Sequence, residues 1–207
     1  MKLITPPATP TPNSVTFTNV RRHRSLVNSI VNLIPREGSI LHVGCGDGGL
    51  AGRLASILPR VKFRGVERFV CKGSQIPIHG FNGSEIPFGD NSFDSVLLID
   101  ALHEAENPGN LLREAARVAR ETIVLKDKSS RGLLASTRRF IDRVGPENQD
   151  SPRVGVRLSK SELQKLIAEL GLTIEQWNGQ SGRFNNPKAN WIFSRTFHFT
   201  ALLSVNS

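Results

Sequence analysis

Ile40-Leu41-His42-Val43-Gly44-Cys45-Gly46-Asp47-Gly48-Gly49-Leu50 is the stretch on which the fold is decided. A short apolar run enters directly into a glycine-rich turn. Behind the turn, Leu50, Leu54, Ile57 and Leu58 form a helical stripe that Pro59 ends. Strand, glycine turn and helix in this order open a nucleotide-binding α/β domain. Glycine lets a backbone adopt positive φ and pass close to a ligand. A helix N-terminus behind it presents free N–H groups and the positive end of a dipole.

Gly44-x-Gly46-x-x-Gly49 suits a dinucleotide pyrophosphate and equally the carboxylate end of S-adenosylmethionine, so the turn alone leaves the ligand open. Glu67 narrows the choice. It closes the next apolar strand, Val61 to Glu67, 23 positions after Gly44. A carboxylate there can accept hydrogen bonds from both ribose hydroxyls of an adenosine.

Upstream, Val27, Ile30, Val31 and Ile34 fall on one face of a helix expected over Arg21 to Ile34. The proline-rich start of the chain has no secretory-type apolar core and reads as a tail over residues 1–20, leaving 21–207 as one domain. Downstream, a third strand over Ile76 to Phe81 carries Pro77 and belongs near a sheet edge. The short link before it, with Gly73, leaves room for a loop or one turn. Phe93 to Ile99 is nearly all apolar, as in a strand covered on both faces. Asn107-Pro108 starts a helix with an N-cap and an N1 proline, and a fifth strand follows at Thr122 to Lys126. A helical segment is expected around Gly132 to Val144. Ser159 and Glu162 make a capping box, Leu163, Leu166, Ile167 and Leu170 continue its helix, and Gly171 ends it. Leu172 to Trp177 and Ser194 to Leu203 are the last strands. The second of them alternates in the manner of a half-exposed antiparallel strand.

The chain has 207 residues, a formal net charge of +9, two cysteines and no tyrosine. The length suits one core, and no apolar run reaches membrane-spanning length. Cys45 and Cys71 lack metal-ligand spacing and are expected as free thiols in a cytoplasmic protein. The positive balance admits nucleic acid as a partner, although no stacked aromatic motif of an RNA-binding module is present.

From Phe81 the sequence continues Asn82-Gly83-Ser84-Glu85-Ile86-Pro87-Phe88-Gly89-Asp90-Asn91-Ser92-Phe93-Asp94. Ala101-Leu102-His103-Glu104 and Arg113-Glu114-Ala115-Ala116-Arg117-Val118 follow. Together with the glycine turn and Glu67, this resembles the class I S-adenosylmethionine-dependent methyltransferases of the ubiquinone-biosynthesis and small-molecule type, over roughly Arg21 to Leu203. The resemblance implies a Rossmann-like, doubly wound sheet of seven strands in the order 3-2-1-4-5-7-6, strand 7 antiparallel. It implies S-adenosylmethionine as cofactor, with Gly44, Cys45 and Gly46 beside its methionine part. Glu67 would hold the ribose, Arg68 would lie beside the adenine, and Asn82 and Gly83 would contact it. Asp100 would border the sulfonium and the acceptor. Two positions depart from the family pattern. His42 stands where an acid usually helps hold the ammonium, with Asp100 or Asp47 as substitutes. Asn82 replaces the usual Asp, its amide oxygen still able to accept from the adenine amino group.

Methyl transfer from a sulfonium is a displacement helped mostly by positioning. A hydroxyl or carbon acceptor needs a base as well, and His103 is the candidate, with Lys126 and Asp127 on the same rim. Trp191, Phe193 and Phe184 are candidate acceptor-pocket or core aromatics. No metal set is expected. The favoured function is transfer to a small-molecule oxygen or carbon. RNA or protein methylation and a non-catalytic S-adenosylmethionine-binding protein are the alternatives. Ile99-Asp100-Ala101-Leu102 takes the place of an amine-methylating Asn-Pro-Pro-Tyr segment, which weighs against the first of these. A nicotinamide dehydrogenase would need a substrate domain or a Tyr-Lys pair, and the chain has neither.

Overall fold

The structure, a computed structural model, describes residues 24, 26–70, 73–130, 158–181 and 196–206. Seven strands form one sheet: β1 (Glu37–Val43), β2 (Arg60–Glu67), β3 (Ile78–Gly80), β4 (Phe93–Ile99), β5 (Ala119–Ser130), β6 (Leu172–Ser181) and β7 (Thr196–Val205). Their order is β3-β2-β1-β4-β5-β7-β6. The pairings from β3 to β5 are parallel, and β7 runs antiparallel to both β5 and β6. This is the expected Rossmann-like sheet.

Three helices follow strands as α/β crossovers require: α2 (Gly49–Ile57), α3 (Pro108–Val118) and α4 (Lys160–Glu169), after a short α1 at residues 26–30. Asn107 caps α3 by accepting the Asn110 N–H, with Pro108 in the first turn. Both halves of the Ser159–Glu162 capping box form on α4, and Gly171 follows with φ 70°. The central strand β4 buries all but Asp94, and β1 buries its second half, Ile40 to Val43. One cluster packs α3 and α4 on one face, around Leu98, Leu112, Ile123 and Ile167. The other packs α1 and α2 on the opposite face, around Ile30, Leu54, Leu97 and Val124.

Some boundaries move. The first helix gives way to a 3-10 turn at Val31–Leu33 before Pro35. Ile57 leaves the helical stripe, half-exposed at 50%, because Leu58 takes the buried position at the end of α2. β3 is three residues long at the sheet edge, as Pro77 requires. β5 extends past its apolar run because Asp127 to Ser130 pair with Phe199 to Thr196, and β6 runs on to Ser181 against the same end of β7. The helix expected around 132–144, Cys71 and the aromatics 184, 191 and 193 lie outside the described residues. Among the described residues, no helix is long and apolar enough to cross a membrane.

Candidate functional site

The glycine turn leaves β1 in a conformation that only glycine adopts freely. Gly44, Gly46 and Gly48 have φ of 68°, 58° and 76°. The Gly44 N–H donates to Val66 O at 2.9 Å, clamping the turn across the end of β2. A side chain at Gly46 would meet nothing within 4 Å, so its Cα faces open space where a ligand could approach. Asp47 Oδ1 accepts the Gly49 N–H at 2.9 Å. That carboxylate is already used to start α2, which weakens it as the substitute for the acid missing at position 42. Cys45 is buried with its sulfur against Gly65, and a Cβ there would collide with it. Burial, reinforced by the charge of Glu67, pushes the Cys45 thiol up to about 12.

Glu67 ends β2 beside this turn. Its Oε2 accepts the Gly46 N–H at 2.8 Å and its Oε1 accepts the Arg68 N–H at 2.7 Å. Arg68 lies over Gly83, where any Cβ would strike the guanidinium, and pairs with Glu106 at 3.3 Å. Gly83 has φ 87°. Asn82 Oδ1 accepts the N–H groups of both Ser84 and Glu85, each at 2.8 Å. Two donors on one atom identify it as the oxygen. The expected acceptance from an adenine amino group therefore meets an occupied atom. The Asn82 amide NH2 is the end left to face a ligand, as a donor to a ring nitrogen.

At the end of β4, Asp100 has φ 56°, rare for a non-glycine residue. Its N–H donates to Lys126 O at 2.7 Å, and both carboxylate oxygens accept from Lys126 Nζ at 3.0 and 3.1 Å. Lys126 balances the charge that was to stand in for the acid at 42. His42 itself is buried within β1, opposite Gly65 and Leu97.

His103 sits on a 3-10 turn, Leu102–Glu104, directly after Asp100. Its Nδ1 lies 2.6 Å from Asp127 Oδ1. Asp127 is 2% exposed and also accepts the N–H groups of Leu102, His103 and Lys128. These bonds fix the carboxylate, and an acceptor this close holds the proton on Nδ1 and leaves Nε2 as the basic atom. Ligating atoms of Asp100, His103 and Asp127 all lie within 4.8 Å of one another. With Asp100 bound to Lys126 and Asp127 filled by N–H donors, the trio is a polar network rather than a metal centre.

The ends of β1, β2, β3 and β4 thus bring a ligand-facing turn, a carboxylate, an amide and a second carboxylate to one rim. An open glycine turn, the Glu67 carboxylate and the Asn82 amide at adjacent strand ends are chemically compatible with an adenosyl group bearing a carboxylate, while no acid stands at position 42 for its ammonium. Residues 41–122 match the family described as methyltransferase domain. Over these residues the chain has the sequence pattern of a methyltransferase domain. No match was found among curated proteins. Among solved structures, the chain is similar in fold to a candidate methyltransferase of Bacillus halodurans, with TM-score 0.63, 15% identity, and 92% of this chain and 100% of that one covered. It is similar to a Haloferax volcanii chain from a complex with the Trm112 methyltransferase activator, with TM-score 0.64, 13% identity, and 96% and 100% covered. It is similar also to a SAM-dependent methyltransferase of Methanosarcina mazei, with TM-score 0.59, 16% identity, and 85% and 96% covered. None of these singles out the ubiquinone-biosynthesis type.

The resemblance gave Asp127 no role, and the pairing with His103 spans 24 positions. A strand-end acid after an apolar run was its only visible signal.

Proposed function

We propose that this methyltransferase, acting through residues 21–207 with 1–20 as a tail, transfers methyl groups to an oxygen or carbon of a small molecule in the cytoplasm. His103 serves as base and Asp127 as its positioning residue. The pairing of His103 Nδ1 with the buried Asp127 carboxylate, at the rim where Asp100 ends β4, carries this reading. When bound, S-adenosylmethionine supplies a methyl group already activated on sulfonium. Gly44, Cys45 and Gly46 would line its methionine end, Glu67 would take the ribose hydroxyls, and Arg68, Asn82 and Gly83 would flank the adenine. Asp100, held by Lys126, borders the reacting centre. His103 Nε2 would take the acceptor's O–H or C–H proton, and Asp127 would stabilise the resulting imidazolium. A direct displacement needs little else from the protein.

Labelled methyl transfer into cell extract, fractionated into lipid, RNA, protein and small molecules, tests the acceptor class. Label is expected among the small molecules. Label in RNA or protein would replace this reading with the one that the net charge of +9 favours. Cofactor bound with no label in any fraction would leave the non-catalytic alternative. With an acceptor in hand, His103→Ala is expected to lower kcat by roughly 10²–10⁴-fold and leave cofactor affinity unchanged. An equal loss from a variant that no longer binds cofactor would remove the base assignment.

A further inference from the structure

Beside this rim, a cleft of about 1130 Å³ opens on the face of the sheet that carries α1. The volume is ample for a small molecule. Its polar lining comes from register. Lys126, Thr200 and Asn178 stand in one cross-strand row of β5, β7 and β6, and Lys128 faces His198 in the next row. Side chains two apart on a strand share a face, so the two lysines and His198 lie together, while Asp127 between them points to the opposite face. Asp100 joins the cleft from the end of β4, and Asn28 and Ser29 close it from α1.

The charges on this face do not cancel. Asp100 is matched by Lys126. Among the described residues, no carboxylate lies within ion-pairing distance of Lys128. Burial first, then the charges of Lys126 and Lys128, hold the His198 imidazole below its ordinary range; Asp100 and Asp127 oppose them without prevailing. A half-buried cleft with a surplus cation and hydrogen-bonding Asn178 and Thr200 is built to receive negative charge.

We infer that the acceptor carries an anionic group, a carboxylate or a phosphate, bound between Lys128 and His198, with its nucleophile directed back towards Asp100 at the end of β4. This rests on the methyltransferase reading above. It assigns Lys128 and His198, which lie outside the cofactor site, as specificity residues. The anion would sit two residues along β5 from Lys126. Lys126, bound to Asp100, would separate it from the reacting centre.

The test uses the full chain and three probes: benzoate, inorganic phosphate and the neutral benzamide. His198 is followed by its imidazole proton resonance through a pH titration, with S-adenosylmethionine binding measured on the same sample. Benzoate or phosphate is expected to raise the His198 pKa, and benzamide to leave it in place. Lys128→Gln is expected to raise the His198 pKa in the free protein and to weaken benzoate and phosphate by roughly tenfold, the loss of one charged hydrogen bond. His198→Gln, which keeps a donor and lacks the titration, is expected to retain most of the anion affinity. If S-adenosylmethionine binds but neither anion moves His198, the anionic acceptor is wrong and the methyltransferase reading stands. Equal binding of benzamide and benzoate overturns it as well. If S-adenosylmethionine does not bind, the functional reading falls and takes this inference with it.

Discussion

Glu67 is oriented by the backbone around it. Its two oxygens accept the backbone N–H groups of Gly46 and Arg68, which fixes the carboxylate beside the turn. Glu67→Ala is expected to weaken S-adenosylmethionine by about 1.5–3 kcal/mol, or roughly 10- to 150-fold, in a calorimetric titration, with the fold retained. Unchanged affinity would remove the ribose assignment. Gly46→Val is expected to abolish binding, since its φ of 58° disfavours a β-branched residue and the side chain would fill the ligand's space. Cys45 is expected to resist iodoacetamide at neutral pH in the folded chain, because burial keeps it a thiol. Which residues gather at the rim was legible in the sequence, since each ends a strand or starts a turn. How they bond was not. The Asn82 oxygen is spent on its own loop in a local Asx-type turn, and Asp100 on Lys126 through a contact 26 positions away that no spacing rule announces.

At the scale of elements, two motif segments prove to be fasteners. Arg117, in the Arg-Glu-x-x-Arg stretch of α3, donates to Glu114, to Asp90 and to the carbonyls of Ile86 and Phe88. Glu114 in turn accepts the Ile86 N–H at 2.9 Å. The pair ties the loop before β4 to α3 and so sets the entrance of the central strand. Asp94, the second residue of that strand, fastens the same entrance to the neighbouring β1 and β5. It accepts Ser39 N–H and Oγ–H at 2.7 and 2.8 Å, pairs with Arg120, and lies where a Cβ on Gly38 would be. Arg117→Ala is expected to cost about 1.5–3 kcal/mol in chemical denaturation, without direct effect on cofactor contacts. A neutral outcome would show that the loop holds without it. The elements themselves were readable where apolar periodicity was strong, as at Phe93 to Ile99 and in the capped helices. They ran longer than read where polar pairs such as Lys128 and His198 continue a ladder, because hydrogen-bonded register has no hydropathy signature.

At the scale of the whole molecule, three groups among the described residues have their titration lowered. Hydrogen bonds from Ser39 hold the Asp94 carboxyl below its ordinary range, and those from Arg117 do the same for Glu114. Their contributions to stability are present above the unfolded carboxylate range and are lost as pH falls through the depressed folded values. His198 is likewise lowered, chiefly by burial. Its neutral form favours folding above about pH 6.5, the free imidazole value, and that share is lost as pH falls below it. The melting temperature is therefore expected to fall in two stages on acidification, first below neutrality and then through the carboxylate range. His198→Gln should remove the first stage alone. A flat profile between pH 7 and pH 5 would contradict the His198 assignment.

The central claim is that the glycine turn and Glu67, at the ends of adjacent strands, together grip an adenosyl sulfonium. Isothermal titration of the full chain with S-adenosylmethionine, with NAD as the competing ligand, tests it most directly. One-site binding of S-adenosylmethionine, absent for NAD and weakened at least tenfold by Glu67→Ala, is the predicted result. No heat and no saturation with S-adenosylmethionine at millimolar concentration would contradict it.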